Sequence, residues 1–234
     1  MKIDINCDLG EGMGNDAALM PLLGSCNIAC GGHFGDVKSM TITVKLAKKH
    51  GVMVGAHPSF PDKENFGREI MDISRDELHQ SLVKQISDFQ LVCQQNNVNM
   101  HHIKLHGALY NLAANDTEIA ALVLNAFTRV KPEVKIYAPY FSAIAILAED
   151  YFPIVYEAFA DRNYNADLSL VSRDKPNAVI ADKQKAYEQI KSIVETGKVT
   201  SIDGQMVDIK ADTFCVHGDN QNALEILQFI HQCF

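Results

Sequence analysis

One local pattern recurs along this 234-residue chain and limits its fold more than any other feature. A short strand-like apolar segment ends in ionisable side chains, a glycine or proline follows, and a helix-like segment comes next. The clearest copy is Lys104-Leu105-His106-Gly107, which leads into a helix-like segment at Ala108. Strands that alternate with helices form parallel sheets through right-handed crossovers. The pattern therefore predicts an α/β protein.

Seven such units follow one another without a linker or a low-complexity segment. We expect an α/β fold with a single domain over residues 1–234, a TIM-like seven-stranded parallel (βα) barrel. Asp203-Gly204 predicts a hairpin insertion near residues 199–209, closed by a two-residue turn. An open doubly wound sheet is the alternative. The barrel is favoured because polar residues end nearly every strand, whereas in an open sheet they would gather at one switch point.

Two helices and the first strand have boundaries that the sequence predicts. Ser74 and Glu77 form a capping box that should begin a long helix at Arg75. A shorter helix is expected over residues 140–149. The first strand is expected to begin at Lys2 and to run into a glycine loop after Asp8.

Composition excludes several classes of function. The net charge of −8, without a clustered basic face, argues against nucleic-acid binding. There is no apolar run of about 18 residues that could span a membrane, and the first residues do not resemble a signal peptide, so we expect a cytoplasmic location. None of the six cysteines lies in a CxxC pair, which predicts reduced, structural thiols.

The ionisable residues at the strand ends should converge on one face, because all strands of a parallel barrel point the same way. The set comprises Asp8, Glu11, His33, Asp36, His57, Asp62, Lys104, His106, Glu157, Asp161, Arg162, His217 and Asp219. The other five histidines are expected to face solvent: His50, His79, His101, His102 and His231. Four strand-end histidines with acidic neighbours predict an active site.

Two chemistries suit this set of side chains, and the sequence leaves both open. Aspartate and histidine from separate strands could bind a divalent metal, although no HxxxH or HExxH pair supports one locally. Alternatively, carboxylates and imidazoles could act as general acids and bases, with Lys104 and Arg162 stabilising negative charge. The glycines at positions 10, 12 and 14 do not have GxGxxG spacing, and no phosphate-binding loop is present. The chain thus has no nucleotide-binding motif of its own.

Six stretches, spread over nearly the whole chain, jointly resemble the LamB/YcsF family. They are Asp4-Ile5-Asn6-Cys7-Asp8-Leu9-Gly10-Glu11, Asn27-Ile28-Ala29-Cys30-Gly31-Gly32-His33-Phe34-Gly35-Asp36, Gly55-Ala56-His57-Pro58-Ser59-Phe60-Pro61-Asp62, Lys104-Leu105-His106-Gly107-Ala108-Leu109-Tyr110-Asn111, Glu157-Ala158-Phe159-Ala160-Asp161-Arg162 and Cys215-Val216-His217-Gly218-Asp219. The family's fold is similar to the seven-stranded barrels of the polysaccharide-deacetylase superfamily.

The resemblance implies ATP-dependent opening of the 5-oxoproline lactam to L-glutamate, together with partner subunits B and C of a 5-oxoprolinase. ATP would act through those partners, and a divalent metal stays open. The expected catalytic residues are Asp8, Glu11, His33, His57, Lys104, His106 and His217. The expected substrate contacts are Asn6, Asp36, Glu157, Asp161, Arg162, Arg173 and Asp219.

The implied roles are specific enough to be tested. Asp8 or Glu11, with His57, would handle water and protons. Lys104 and His106 would polarise the ring carbonyl, and Arg162 or Arg173 would hold the substrate carboxylate.

The chain departs from the family pattern at Leu105, where the family usually has proline, at Glu69, where it has a basic residue, and over residues 167–170. The change at Glu69 is expected to weaken anion contact. Two rival functions remain: a metal-dependent deacetylase or amide hydrolase on the same barrel, and a non-catalytic subunit that binds a lactam.

Overall fold

A computed structural model describes residues 3–130 and 133–234 of the chain. Nine strands are found in these two ranges, and they are β1 Ile5–Leu9, β2 Ser25–Ala29, β3 Met53–His57, β4 Met100–Lys104, β5 Lys135–Pro139, β6 Ile154–Phe159, β7 Lys198–Thr200, β8 Met206–Asp208 and β9 Thr213–Cys215. Lys2, where the first strand was expected to begin, lies outside the described residues.

Seven of these strands form a closed parallel barrel in the order β1-β2-β3-β4-β5-β6-β9. Closure occurs where β9 lies beside β1, with Ile5 opposite Phe214, while β9 also pairs with β6. Each barrel strand therefore has two neighbours, which rules out the open doubly wound sheet. The predicted seven-stranded α/β barrel is confirmed.

Helices follow the barrel strands and pack around them, as crossover connections require. They are α1 Asp16–Leu19, α2 Val37–His50, α3 Arg75–Gln95, α4 Gly107–Asn115, α5 Thr117–Val130, α6 Ala143–Ala148, α7 Lys183–Thr196 and α8 Ala223–Cys233. The predicted capping box at Ser74 and Glu77 begins α3. The helix expected over 140–149 is shorter, because Phe141 has a left-handed φ of 61° and Ser142 caps the helix after it.

The strands β7 and β8 form a separate antiparallel pair, with Thr200 opposite Met206. The predicted two-residue turn is wrong. The backbone N–H of Gly204 donates to the carbonyl of Ser201, and Gly204 itself has a φ of 82°. A tight turn followed by a left-handed glycine makes a three-residue loop with a bulge, so Gly204 ends the turn rather than lying inside it.

The barrel interior is polar, whereas most parallel barrels fill theirs with branched apolar side chains. Asn27 lies at the centre of this polar network. The side-chain amide of Asn27 donates to Asn6 Oδ1 and Asp8 Oδ1, both at 2.8 Å. His102 donates from Nε2 to Asn27 Oδ1 at 2.7 Å and is fully buried. The expectation that His102 faces solvent is therefore wrong. Gly55 leaves room for this ring, because a Cβ there would lie 2.2 Å from His102 Nε2.

All six cysteines are free thiols, and five of them are buried. Burial raises the pKa of the Cys30 thiol to about 12, so this thiol stays protonated and unreactive at neutral pH. Reduced structural thiols were predicted. Within the described ranges, no helix has both the length and the apolar character needed to cross a bilayer.

Candidate active site

A cavity of about 520 Å³ opens at the carboxyl ends of the barrel strands. Nine of the predicted site residues line it: Asp8, Glu11, His57, Lys104, His106, Arg162, Arg173, His217 and Asp219. Its volume lies within the range of about 300–1,000 Å³ that is usual for small-molecule sites. The parallel barrel thus brings residues that are far apart in sequence to one mouth.

A buried lysine occupies the floor of the cavity. Lys104 Nζ lies 3.0 Å from Asp8 Oδ1, 2.9 Å from Glu157 Oε1 and 3.1 Å from Cys215 Sγ. Tyr110 donates its hydroxyl hydrogen to the other oxygen of Glu157 at 2.8 Å. We call these four residues, Asp8, Lys104, Glu157 and Cys215, the lysine cluster.

The lysine cluster keeps its charges despite its burial. Burial disfavours the charged form of Lys104, but Asp8, Cys215 and Glu157 together raise the pKa of Lys104 well above its usual value. Burial opposes ionisation of Asp8 too, yet the neighbouring His57 and Lys104 lower the pKa of Asp8 well below its usual value. An ammonium ion and a carboxylate therefore face each other at neutral pH.

Three imidazoles and one carboxylate form a second group, at the side of the cavity. His33 Nε2 and His106 Nδ1 lie 2.9 and 3.3 Å from Glu11 Oε1. His57 Nε2 lies 3.0 Å from His106 Nδ1, and the rings of His33 and His106 stack at 3.6 Å. We call Glu11, His33, His57 and His106 the imidazole cluster. All four side chains are buried.

Burial favours the neutral forms of Glu11, His33 and His106. It raises the pKa of Glu11, and the neighbouring carboxylates Asp8 and Asp219 raise it further. Burial also lowers the pKa of His33 and of His106 well below the usual histidine value, with a further contribution from His57. Both of these rings are therefore neutral at physiological pH.

The long loop between β3 and α3 covers the imidazole cluster. The carbonyl of Phe66 accepts a hydrogen bond from His106 Nε2 at 2.9 Å, and Phe66 has a left-handed φ of 56°. Gly67 lies against Gly107, where a Cβ on Gly107 would lie 2.4 Å from the Gly67 carbonyl oxygen. Strained backbone of this kind persists where the surrounding contacts hold it in place.

An aspartate–histidine pair lies beside the lysine cluster, where a ring nitrogen of His217 lies within 4.8 Å of Asp8 and Cys215 ligand atoms. His217 donates from Nδ1 to Asp161 Oδ1 at 2.8 Å. Burial opposes ionisation of Asp161, but hydrogen bonds and charge from His217 and the amide of Asn220 lower the pKa of Asp161. The pair fixes the His217 ring, which also stacks on Phe159 at 5.3 Å between centroids. A histidine oriented by a carboxylate is suited to proton transfer.

Two arginines form the rim of the cavity. Arg68 and Arg173 both pair with Asp219, and Arg173 Nη1 lies 3.4 Å from its Oδ2. Their guanidinium groups are partly exposed. Arg162 is different, because it is buried and donates to the backbone carbonyls of Val171 and Ala178. The rim arginines are therefore better placed than Arg162 to contact an anionic ligand.

Five predicted site residues lie outside the cavity lining. His33 lies behind Glu11, Asp161 behind His217, and Glu157 beneath Lys104. Asn6 is buried in the barrel, 3.4 Å from Lys104 Nζ. Asp36 is exposed and caps α2 by accepting from the backbone N–H of Ser39, so the structure does not bring it to the site. Its acidic side chain stabilises a helix end.

Several residues of the site were not predicted. Arg68 and Tyr110 line the cavity, and Ser59 accepts a hydrogen bond from His33. His102 carried a signal that could have found it, because side chains alternate along a strand and residue 102 must share the inward face of Lys104. Arg68 and Ser59 lie in an irregular loop, where no periodicity indicates direction.

The chain has relatives among known proteins over almost its full length. The model of the LamB/YcsF family matches residues 3–234. A Haemophilus influenzae protein, named as the A subunit of 5-oxoprolinase, is 42% identical over 230 residues, which cover 98% of this chain and 94% of that protein. A Staphylococcus carnosus protein of the same name is 42% identical over 238 residues, covering 99% and 94%.

One solved structure is similar throughout. The lactam utilization protein from Thermus thermophilus is 34% identical, with a TM-score of 0.90 and coverage of 100% of this chain and 97% of that one. The family match and the curated relatives agree with the sequence motifs and with the closed barrel. This chain belongs to the LamB/YcsF family.

Proposed function

We propose that this chain is the A subunit of an ATP-dependent 5-oxoprolinase, which opens the lactam ring of 5-oxoproline to L-glutamate. The observation that carries the proposal is its 42% identity, over nearly the full length, to relatives of that name. The cavity supports the proposal, because its lining includes carboxylates, an ammonium, imidazoles and guanidinium groups.

Ring opening begins with attack of water on the lactam carbonyl. Asp8 is ionised and lines the cavity, so it can accept a proton from the attacking water. The ammonium of Lys104 lies 3.0 Å from Asp8 and can stabilise the oxyanion that forms on the carbonyl oxygen. Both side chains are buried, which strengthens these interactions.

The expected role of His106 in polarising the carbonyl is less well supported. Its Nε2 donates to the carbonyl of Phe66, and its Nδ1 faces His57 and Glu11. In the described structure neither ring nitrogen is directed as a donor toward the cavity. We therefore assign the polarising role to Lys104 alone.

The second half of the reaction breaks the ring C–N bond, and the leaving nitrogen needs a proton. His217 lines the cavity and its Nδ1 is held by Asp161, so the doubly protonated ring can deliver that proton from Nε2. The proton that Asp8 takes from water then restores His217. The water oxygen becomes part of the new carboxylate, and the ring nitrogen becomes the amino group of glutamate. Atoms and charges balance without a redox partner.

The substrate also carries a carboxylate outside the ring. Arg68 and Arg173 at the rim share one acidic partner, Asp219, so their remaining donors can bind this group. Glu69 lines the cavity beside Arg68. This acidic side chain favours approach of the carboxylate from the Arg173 side.

A lactam is a stable amide, so its opening at neutral pH benefits from coupling to ATP hydrolysis. This chain has no phosphate-binding loop motif. We assign ATP-dependent activation to partner subunits B and C, with cleavage of the activated ring in the barrel described above.

Glutamate release from 5-oxoproline and ATP tests the proposal. The chain should be assayed with its partner subunits from the same organism, and each component should be omitted in turn. His217→Asn should lower kcat by about 10²–10⁴-fold, the usual contribution of a general acid or base. His79→Gln is the matched control, because His79 is only partly buried on α3 and lies outside the cavity lining, and its Nε2 donates to Asn125 Oδ1.

Two results would contradict the proposal. Glutamate release that continues without this chain would show that the partners suffice. Full turnover in His217→Asn would contradict the assignment of His217 as the proton donor. The non-catalytic alternative predicts that 5-oxoproline still binds and that complex activity survives in this variant.

A further inference from the structure

The outer nitrogens of the imidazole cluster are fixed as hydrogen-bond donors. His57 Nδ1 lies 2.8 Å from the Lys104 carbonyl and His106 Nε2 lies 2.9 Å from the Phe66 carbonyl, so both nitrogens must carry hydrogen. Ser59 uses its own hydrogen on the Phe60 carbonyl at 2.8 Å. Its oxygen therefore accepts from His33 Nδ1 at 3.0 Å.

This pattern determines what the inner nitrogens present. A neutral imidazole has one N–H, so the second nitrogen of each ring carries a lone pair. Those nitrogens are His33 Nε2, His57 Nε2 and His106 Nδ1. Together with a carboxylate oxygen of Glu11, they lie within 4.8 Å of one another. Four atoms that can act as metal ligands thus face one point in a buried space.

Buried acceptors that face one another repel unless a donor or a cation lies between them. The N–H groups at His33 Nδ1, His57 Nδ1 and His106 Nε2 are already used on the outer side. Lys104, a buried ammonium nearby, is held by Asp8 and Glu157 in the lysine cluster. Either a metal ion or added protons must therefore lie among the four inner atoms.

We propose that Glu11, His33, His57 and His106 bind one divalent metal ion of the zinc class. Ligating histidines almost always donate their other ring N–H to a carbonyl, carboxylate or water, which orients the ring and fixes its tautomer. All three rings here have such a partner, one of them through a serine hydroxyl. The site adjoins the proposed reaction centre, since His57 Nε2 lies 3.4 Å from Asp8 Oδ2, but the proposal does not rest on the reaction assigned above.

The donor set selects the class of ion. Three imidazole nitrogens and one carboxylate oxygen suit zinc and its neighbours in the first transition series. Calcium and magnesium prefer sites made of oxygen donors alone. The tight enclosure of the four side chains favours an ion that accepts four ligands at about 2.0–2.2 Å.

Metal content and metal affinity test the proposal without substrate or partner subunits. The full chain, purified without chelator, should contain close to one equivalent of a transition metal by elemental mass spectrometry. After the metal is removed, calorimetric titration with zinc chloride should show one site. Glu11→Gln and His106→Ala should lose that site, whereas His79→Gln should retain it.

A second variant addresses the outer hydrogen bonds and does not remove a ligand. Ser59→Ala deletes the acceptor of His33 Nδ1 and should weaken zinc binding by about 10–100-fold, as loss of an outer-shell partner does. Because all four ligands remain, this variant keeps the proposal falsifiable if the ligand variants fail to fold. Circular dichroism of each metal-free protein provides the folding control.

The proposal is overturned if the wild-type chain contains no metal and binds no zinc at one equivalent. That result would mean that added protons separate the lone pairs. It is also overturned if zinc binding is unchanged in Ser59→Ala and in a folded ligand variant. Zinc binding without glutamate release would support the metal site and contradict the proposed function. Glutamate release without zinc binding would support the proposed function and contradict the metal site.

Discussion

The two buried groups at the barrel mouth differ in how their buried acceptor atoms are compensated. The lysine cluster contains its own cation, which lies within 3.0 Å of two carboxylates. The imidazole cluster contains three imidazoles and one acid, and it directs four possible ligand atoms inward. Both groups come from strand ends and the loops after them, so position does not explain the difference. The difference comes from the hydrogen bonds of the outer ring nitrogens. These bonds determine which atoms of each side chain face the site.

The largest expected effect comes from removing the cation of the lysine cluster. Lys104→Met leaves Asp8 and Glu157 buried without their partner, and should lower the free energy of unfolding by about 3–5 kcal/mol. Urea denaturation measures this change. A second substitution, Glu157→Gln, should recover part of the loss, and a loss below about 1 kcal/mol for Lys104→Met would contradict an ionised cluster.

The next test compares one carboxylate from each cluster as pH changes, in chelator-treated protein. The pKa of Asp8 is lowered in the folded state, so its contribution to stability is present above the unfolded value of about 3.9 and is lost as pH falls through the folded value. Asp8→Asn should therefore be destabilising, by about 2–3 kcal/mol at pH 7, and less so in acid.

Glu11 should show the opposite sign. Its pKa is raised in the folded state, so it lowers stability increasingly as pH rises above the unfolded value of about 4.3. Glu11→Gln should raise the free energy of unfolding by about 1 kcal/mol at pH 7 in the absence of metal. Denaturation curves at pH 4 and pH 7 measure both variants, and a shared direction of change would remove the contrast between the clusters.

A smaller effect is expected below the lysine cluster. His102→Leu removes the donor to Asn27 Oδ1, and leaving this buried oxygen unpaired should lower stability by about 1–3 kcal/mol. Zinc affinity should be unchanged, because His102 does not belong to the imidazole cluster. His101→Gln, on the same strand but half-buried, is the control for thermal unfolding. A change in zinc affinity in His102→Leu would show that the two groups are coupled.

The smallest effect is expected at the rim. Arg68→Ala should raise the KM for 5-oxoproline about tenfold with little change in kcat, as loss of one charged hydrogen bond of about 1.4 kcal/mol would do. Steady-state kinetics of the complete complex measure this value. Lys63→Ala, an exposed cation in the same loop, is the control. A change confined to kcat would place Arg68 in the chemical step instead.

The sequence was sufficient for the barrel and for most of the residues at its mouth. Repeated strand–helix units and strand-end polar residues depend on local pattern, and parallel closure brings their ends together. Asp36 was misplaced because an acidic residue near a strand end also serves as a helix cap, and spacing does not separate these roles. His102 was missed because the alternation of side chains along a strand, which places residue 102 on the same face as Lys104, was not applied to it.

The electrostatic difference between the lysine cluster and the imidazole cluster could not be predicted from the sequence. It depends on which carbonyl each imidazole reaches, and those carbonyls belong to residues such as Phe66, in a loop without periodicity. Arg68 and Ser59 lie in the same loop. Their directions are set by contacts with elements that are far away in the chain, and no local signal encodes such contacts.

The approach of Gly67 to Gly107 has a consequence for changing this protein. A side chain at either position would meet the neighbouring segment, since a Cβ on Gly107 would lie 2.4 Å from a carbonyl and a Cβ on Gly67 would lie 3.0 Å from His33 Cβ. The loop and the start of the helix therefore form one packing unit. A redesigned loop between β3 and α3 should be exchanged together with the start of α4, and both glycines should be kept.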